Sequence, residues 1–313
     1  MRYASVFRND SEPQTMSTTQ HFQGQTLVRL GHDDHYLLLA PDHGGRLVRW
    51  VHRGQDILYW PADADWSRIA KVRGGNPLLF PFIGRHFVDG EAGKWRDHDG
   101  AIHELPQHGF ARDLPFVVSE ISESAVSLSL ASSDATQAGY PFAFVFTVTY
   151  RLVPDGLDVT LHTRNTGNVP LPCYAGHHFY FALPHTQRDQ GRITMPAATR
   201  VRQQGDGSLT APEPGDGAYV VSDPRLQDTF HVLRGTGGVQ LQQPGRRIDI
   251  ALDASDGVPW YAVTTWMERD DSDFYCVEPW LGLPNAIHHG QGLRTIAPGT
   301  EERAVCRLSV SLA

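Results

Sequence analysis

Short apolar runs separated by turn residues dominate the chain. Runs at 27–30, 36–40, 47–51 and 57–60 are split by PDHGG at 41–45 and by Gly54. Residues 126–130, VSLSL, alternate strictly and predict a half-buried strand. Residues 142–153 are aromatic, β-branched and Thr-rich, and PDG at 154–156 leads into LDVTLHT at 157–163. Pro presets φ and Gly relieves the turn, so these two runs are predicted to form a hairpin. Further strands are predicted at 239–242, 248–252, 260–266, 274–278 and 304–310. Only residues 62–70 could form a helical turn or two, and no 3.6-residue period recurs. Many short strands with Gly and Pro punctuation predict an all-β sandwich or barrel. The Gly- and Pro-rich stretch 205–217 has the same strand signals on both sides and reads as a surface loop. The expected organisation is a flexible leader over 1–20 and one domain over 21–313.

Composition narrows the function classes. The 313 residues are 40% hydrophobic, enough for a sizeable core. The net charge of −8, from 27 basic and 35 acidic residues, comes without a like-charge block. That argues against nucleic-acid or anionic-membrane partners, while a local arginine cluster could still take a phosphorylated ligand. Cys173, Cys276 and Cys306 are odd in number, widely spaced and without CxxC. They predict neither a disulfide framework nor a zinc knuckle, and reduced thiols fit a cytoplasmic protein. The first twenty residues carry acidic groups and no apolar core, so they do not read as a secretory signal; Met16 offers an alternative start. No run is long and apolar enough to span a bilayer. The oligomeric state leaves no mark in the sequence.

Four stretches carry candidate chemistry. In GHHFYFALP at 176–184, an extended backbone puts His178 and Tyr180 on one face and His177, Phe179 and Phe181 on the other. An imidazole in a partly buried site suits proton transfer near neutral pH, although two satisfied core histidines are the commoner outcome. In FYCVEPWLGL at 274–283, Cys276, Glu278 and Trp280 share a face. A glutamate in an apolar run is either paired structurally with an arginine or tuned upward for acid–base work. Trp280 offers a flat face to a sugar ring, or packs in the core. In VRGGNPLLFPFIGRH at 72–86, paired glycines and two prolines make a rigid loop that aims Arg85. In LPQHGFARDLP at 105–115, His108 precedes Gly109, and Arg112 and Asp113 read as a local ion pair. A weaker stretch, LQDTFHVL, has Asp228 just before an alternation, with His231 either core or surface. The adjacent histidines 177–178 and 288–289 diverge on a strand, and no HExxH occurs, so no metal site is expected.

GGNPLLFPFIGR, LPQHGFAR, GHHFYF and YCVEPW, in that order, resemble the aldose 1-epimerase (galactose mutarotase-like) family from about residue 44 to the C-terminus. The resemblance implies a β-supersandwich, a large twisted pair of mostly antiparallel sheets with the site on a concave face. It implies an isomerase that interconverts α and β anomers of a small sugar, with no cofactor. Glu278 would take the proton of the anomeric hydroxyl and His178 would protonate the ring oxygen. His108 and Arg85 would hold hydroxyls and developing charge, and Asp228 matches the family's active-site aspartate. The RGG and LPQHGFAR segments are similar to the hexose-6-phosphate mutarotase branch, which makes Arg73 a candidate phosphate reader. The alternatives are therefore a hexose-6-phosphate mutarotase, or a non-catalytic carbohydrate-binding module on the same fold.

Overall fold

The computed structural model describes residues 19–235, 237–252 and 257–312. Residues 1–18 of the expected leader, Met16 included, lie outside the described residues. Thr19–Phe22 is already a strand, so the last two leader positions belong to a sheet. The described residues are mostly antiparallel strands with little helix, the β-supersandwich of galactose mutarotase-like proteins.

A nine-stranded antiparallel sheet runs, in spatial order, Val117–Ile121, Ala125–Ala131, Phe144–Val153, Gly156–Asn165, Glu301–Leu312, Arg246–Ala251, Gly238–Gln243, Arg192–Thr194 and Ala218–Val220. Its centre is the predicted hairpin, closed where Val153 pairs with Gly156. Phe144, Phe146, Val148 and Tyr150 point inward, while Val145, Thr147 and Thr149 between them are half-exposed. Each such buried side chain contributes roughly 1.5–3 kcal/mol relative to exposure.

An eight-stranded sheet runs Glu213–Pro214, Ala198–Val201, Thr229–Leu233, Ala262–Trp266, Phe274–Trp280, Gly176–His177 and Leu78–Leu79, with Phe179–Ala182 also paired to Phe274–Trp280. A five-stranded N-terminal sheet completes the core. Apolar side chains from all three sheets meet in one cluster, where Phe80 stacks on Phe146 with centroids 4.3 Å apart and Phe82 on Tyr174 at 4.7 Å.

Local expectations fared unevenly. Residues 57–60 form no strand; only Leu58 bridges to Phe181. The chain there runs alongside Phe179–Ala182, with Tyr59 N–H donating to Tyr180 O and Ala182 N–H to Ile57 O, too briefly to make a strand. The helical turn expected over 62–70 is a 3-10 segment at Trp66–Lys71, capped by Asp65, whose carboxylate accepts from Ser67 N–H. All three cysteines are buried and free. No helix among the described residues is long and apolar enough to cross a membrane.

Candidate active site

All seven residues of Phe274–Trp280 are buried. Tyr275 and Val277 face the sandwich core, and Cys276 packs with Tyr180 and Phe274 on the other side. Glu278 points into a cavity of about 280 Å³. The neighbouring chain passes twice beside it, because Phe179 pairs with Val277 and Gly176 with Trp280. His178 falls between these two pairings, and its Nε2 lies 3.5 Å from Glu278 Oε2.

The alternation along 176–184 holds. His178 stacks on Tyr180 at 4.6 Å with rings 6° from parallel, and His177 packs on Phe179 and Trp260. Asn76, fully buried, holds both histidines: its Oδ1 accepts from His178 N–H (2.9 Å), and its Nδ2 meets His177 Nδ1 (3.1 Å).

Arg73, Arg85, His108, Asp228 and Trp280 also line this cavity, so all seven residues singled out from the sequence come together. His108 has φ 68 and Asp228 φ 47, left-handed conformations that ordinary residues seldom adopt. Gly109 is held by close approach, since a Cβ there would sit 2.1 Å from Phe80 O. The turn fixes the tautomer of His108: its Nδ1 accepts Gly84 N–H at 3.0 Å, which leaves the proton on Nε2. Gln107 Nε2 lies 3.2 Å from that nitrogen, and the Gln107 amide accepts this proton only with its oxygen turned toward it. Asp228 stands exposed at the rim.

Electrostatics separate the central pair. Burial drives the Glu278 carboxyl well above the ordinary range, and Asp228 adds to that; the Trp280 side chain pulls weakly the other way. Burial drives the His178 imidazole well down, reinforced by Arg112, Arg73 and Arg46. An ion pair would shift both groups the opposite way. At 3.5 Å, burial favours the uncharged form of each group. Glu278 Oε2 and His178 Nδ1 are buried without hydrogen-bond partners.

Several lining residues escaped the sequence reading: Lys71, Gln107, Gln203, Thr264 and Trp266. Arg112 is a correction. It forms no ion pair with Asp113; its Nη2 donates to Gln107 O at 2.7 Å, and its guanidinium borders the cavity. Arg73 is held by Glu268, with Nε 2.9 Å from the carboxylate, and lies over the Trp266 ring. His231 is core, with Nε2 3.0 Å from Thr265 Oγ1. Metal-ligating groups also meet here despite the lack of spacing along the chain. Ligand atoms of His178, Cys276 and Glu278 lie within 4.8 Å of one another.

A Cenchrus ciliaris protein described as a candidate glucose-6-phosphate 1-epimerase is 25% identical over 292 residues, 85% of this chain and 79% of its own. A solved Synechocystis structure is 26% identical, covers both chains completely and superposes with TM-score 0.80. The galactose mutarotase related enzyme of Lactobacillus acidophilus, 21% identical over 91% of this chain and 97% of its own, shares the fold at TM-score 0.76. The sequence pattern described as aldose 1-epimerase matches residues 26–309, and the chain belongs to that family.

Proposed function

We propose that this protein interconverts the α and β anomers of an aldose by proton transfer, with Glu278 and His178 as the acid–base pair. The observation that carries the reading is a buried carboxyl and imidazole 3.5 Å apart at a cavity of about 280 Å³. That volume suits one sugar ring, near the lower end of ligand pockets at about 300 Å³. A binding module needs neither group, and burying both without partners costs stability.

Ring opening needs one group to take the proton of the anomeric hydroxyl and one to give a proton to the ring oxygen. The C1–O5 bond then breaks as C1=O1 forms. Rotation about C1–C2 and closure on the other face give the second anomer, with the proton returning by the reverse route. In this reading the pair carries one mobile proton, and burial favours holding it on Glu278 in the free protein. For Glu278 to act as base and His178 as acid, that proton passes to His178 when the sugar binds. Each transfer is worth on the order of a hundredfold or more. His108 Nε2–H and Arg85 are donors for sugar oxygens and developing charge, Asp228 accepts from hydroxyls at the rim, and Trp280 offers a ring face.

A second reading, a hexose phosphate, is favoured by Lys71, Arg73 and Arg112 around the same cavity. Arginine forks suit phosphate through bidentate, charge-assisted bonds. The relative described as a candidate glucose-6-phosphate 1-epimerase points the same way.

Polarimetry on freshly dissolved α-glucose and α-galactose, with glucose 6-phosphate in a parallel assay, tests both readings. Catalysed equilibration of at least one is expected, unchanged or faster after dialysis against chelator. No acceleration of any free or phosphorylated hexose would overturn the proposal.

A further inference from the structure

Cys276 takes no part in the proton transfers above, yet it lies against the pair that does. Its Sγ, a ring nitrogen of His178 and a carboxylate oxygen of Glu278 are mutually within 4.8 Å. We propose that these three groups form an inhibitory site for one thiophilic divalent cation of the zinc class, which competes with the sugar for the acid–base pair.

Imidazole, thiolate and carboxylate are all zinc ligands, and three protein ligands with one open position is a familiar zinc arrangement. Tetrahedral zinc, with metal–ligand bonds of roughly 2.0–2.3 Å, sets its ligand atoms about 3.4–3.6 Å apart. His178 Nε2 and Glu278 Oε2 already stand 3.5 Å apart. Cys276 and Glu278 are two residues apart on one strand and so share a face. Small side-chain movements of the thiol bring it to bonding distance, without a change of backbone register.

A second observation points to an occupant. Glu278 is 1% exposed, and its Oε2 is a buried polar atom with no partner on a side chain that borders the cavity. A cation entering through the cavity reaches it and His178 Nε2 first, with the thiol behind. The fourth coordination position then opens toward the cavity, where water would sit.

The arginines around the cavity do not forbid this. Coordination of a thiol and a carboxylic acid expels one proton from each, so one divalent cation enters as two protons leave and the local charge is unchanged. Arg73, one of the guanidiniums bordering the cavity, is moreover engaged by Glu268. The donor set also selects the metal. Magnesium and calcium prefer all-oxygen ligands, and magnesium sheds its water reluctantly, so neither gains from a sulfur and an imidazole.

The test uses the full chain in metal-buffered solution with zinc or magnesium as the probe. Zinc should inhibit anomerisation competitively with the sugar, and magnesium should not. Cys276→Ser and Cys276→Ala should keep the basal rate and raise the half-inhibiting zinc concentration by at least about tenfold, the smallest loss expected for a coordination partner. Cadmium should give a thiolate charge-transfer absorption on the wild-type chain that Cys276→Ala lacks. That absorption needs no substrate, so its outcome stands apart from the sugar reading. Equal zinc sensitivity in wild type and both variants, equal inhibition by magnesium, or a cadmium band that survives Cys276→Ala would each overturn the proposal.

Discussion

The two large sheets differ in how they use polarity. Across the nine-stranded sheet, long strands alternate between a buried apolar face and a half-exposed polar one. Its polar side chains pair across strands near solvent, as Ser127 does with Thr149 and Ser129 with Thr147, both at 2.8 Å. The eight-stranded sheet has shorter strands and is buried on both faces around Phe274–Trp280. It carries His177, His231, Thr264, Thr265 and Glu278 at 2% exposure or less. One sheet satisfies the hydrophobic pattern; the other departs from it where a ligand could complete the missing contacts. Departures from local rules concentrate at functional sites.

The largest effect that would sharpen this contrast is acid unfolding. Burial pushes His86, His177 and His231 down to about 3, and takes His108 and His178 well below their ordinary value. Unfolded histidines take up protons below about 6.5, while these folded ones stay neutral. Their contribution to stability is therefore complete above about pH 6.5 and is lost as pH falls toward about 3. The three imidazoles near 3 alone give a slope of about 4 kcal/mol per pH unit. Thermal melts between pH 7 and 4.5 should show it, and His231→Phe should reduce the slope by about one proton, roughly 1.4 kcal/mol per unit. A melting temperature flat over that range would mean these imidazoles protonate in the folded protein.

Next in size is the loss of proton transfer. Glu278→Gln keeps shape but cannot accept or release the proton, and turnover should drop by at least about a thousandfold, or some 4 kcal/mol. The fold should survive, because burial already favours the neutral acid and a neutral amide matches it. His178→Asn should also cut turnover, far more than His177→Asn, which should mainly cost stability on the Trp260 side. Near wild-type polarimetry with Glu278→Gln, or equal kinetic losses at 177 and 178, would erase the functional difference between the two faces.

The regular sheet was legible in the sequence because alternation and turn chemistry act locally. The hairpin of Phe144–Val153 and Gly156–Asn165 needed only its β-branched run and PDG. The site was legible where side-chain type conflicted with its surroundings, as Glu278 does among aromatics. Long-range facts were not legible. Arg112 looked like the partner of Asp113 because they are adjacent, but the fold turns it to Gln107 O and the cavity. Residues 57–60 have a strand's composition, yet they make only a single bridge to Phe179–Ala182 before the chain turns away. The left-handed backbone at His108 had one signal, the glycine that follows; Asp228 had none.

Asn76 was overlooked for the same reason, since GGNP reads as an ordinary turn. Its amide satisfies His178 N–H and His177 Nδ1 across about a hundred residues of chain. Asn76→Ala leaves both unsatisfied in the interior, at about 1–3 kcal/mol for each orphaned group. It should lower the melting temperature and kcat together while KM moves little. Faster hydrogen exchange at the His178 amide would locate the cause. Unchanged exchange there, with normal kcat, would reduce Asn76 to a turn residue.

The smallest effects concern substrate charge, and they separate the buried arginine from the exposed one. Arg112 is 9% exposed and has no carboxylate hydrogen-bonded to it, whereas Arg73 is half-exposed and held by Glu268. A buried guanidinium is screened little by salt, and an exposed pair is screened strongly. If glucose 6-phosphate is a substrate, Arg112→Ala should raise its KM by about tenfold, or some 1.4 kcal/mol. Arg73→Ala should raise it only severalfold and should leave the remaining rate less sensitive to salt. Glu268→Gln should act in the opposite direction, because it releases Arg73 toward the phosphate. None of the three should change KM for a neutral hexose by as much, provided the protein stays folded. Equal effects of Arg112→Ala on phosphorylated and neutral sugars would assign that arginine to the sugar ring instead. A wild-type preference above about tenfold for the 6-phosphate would place the hexose phosphate ahead of the free aldose as the physiological substrate.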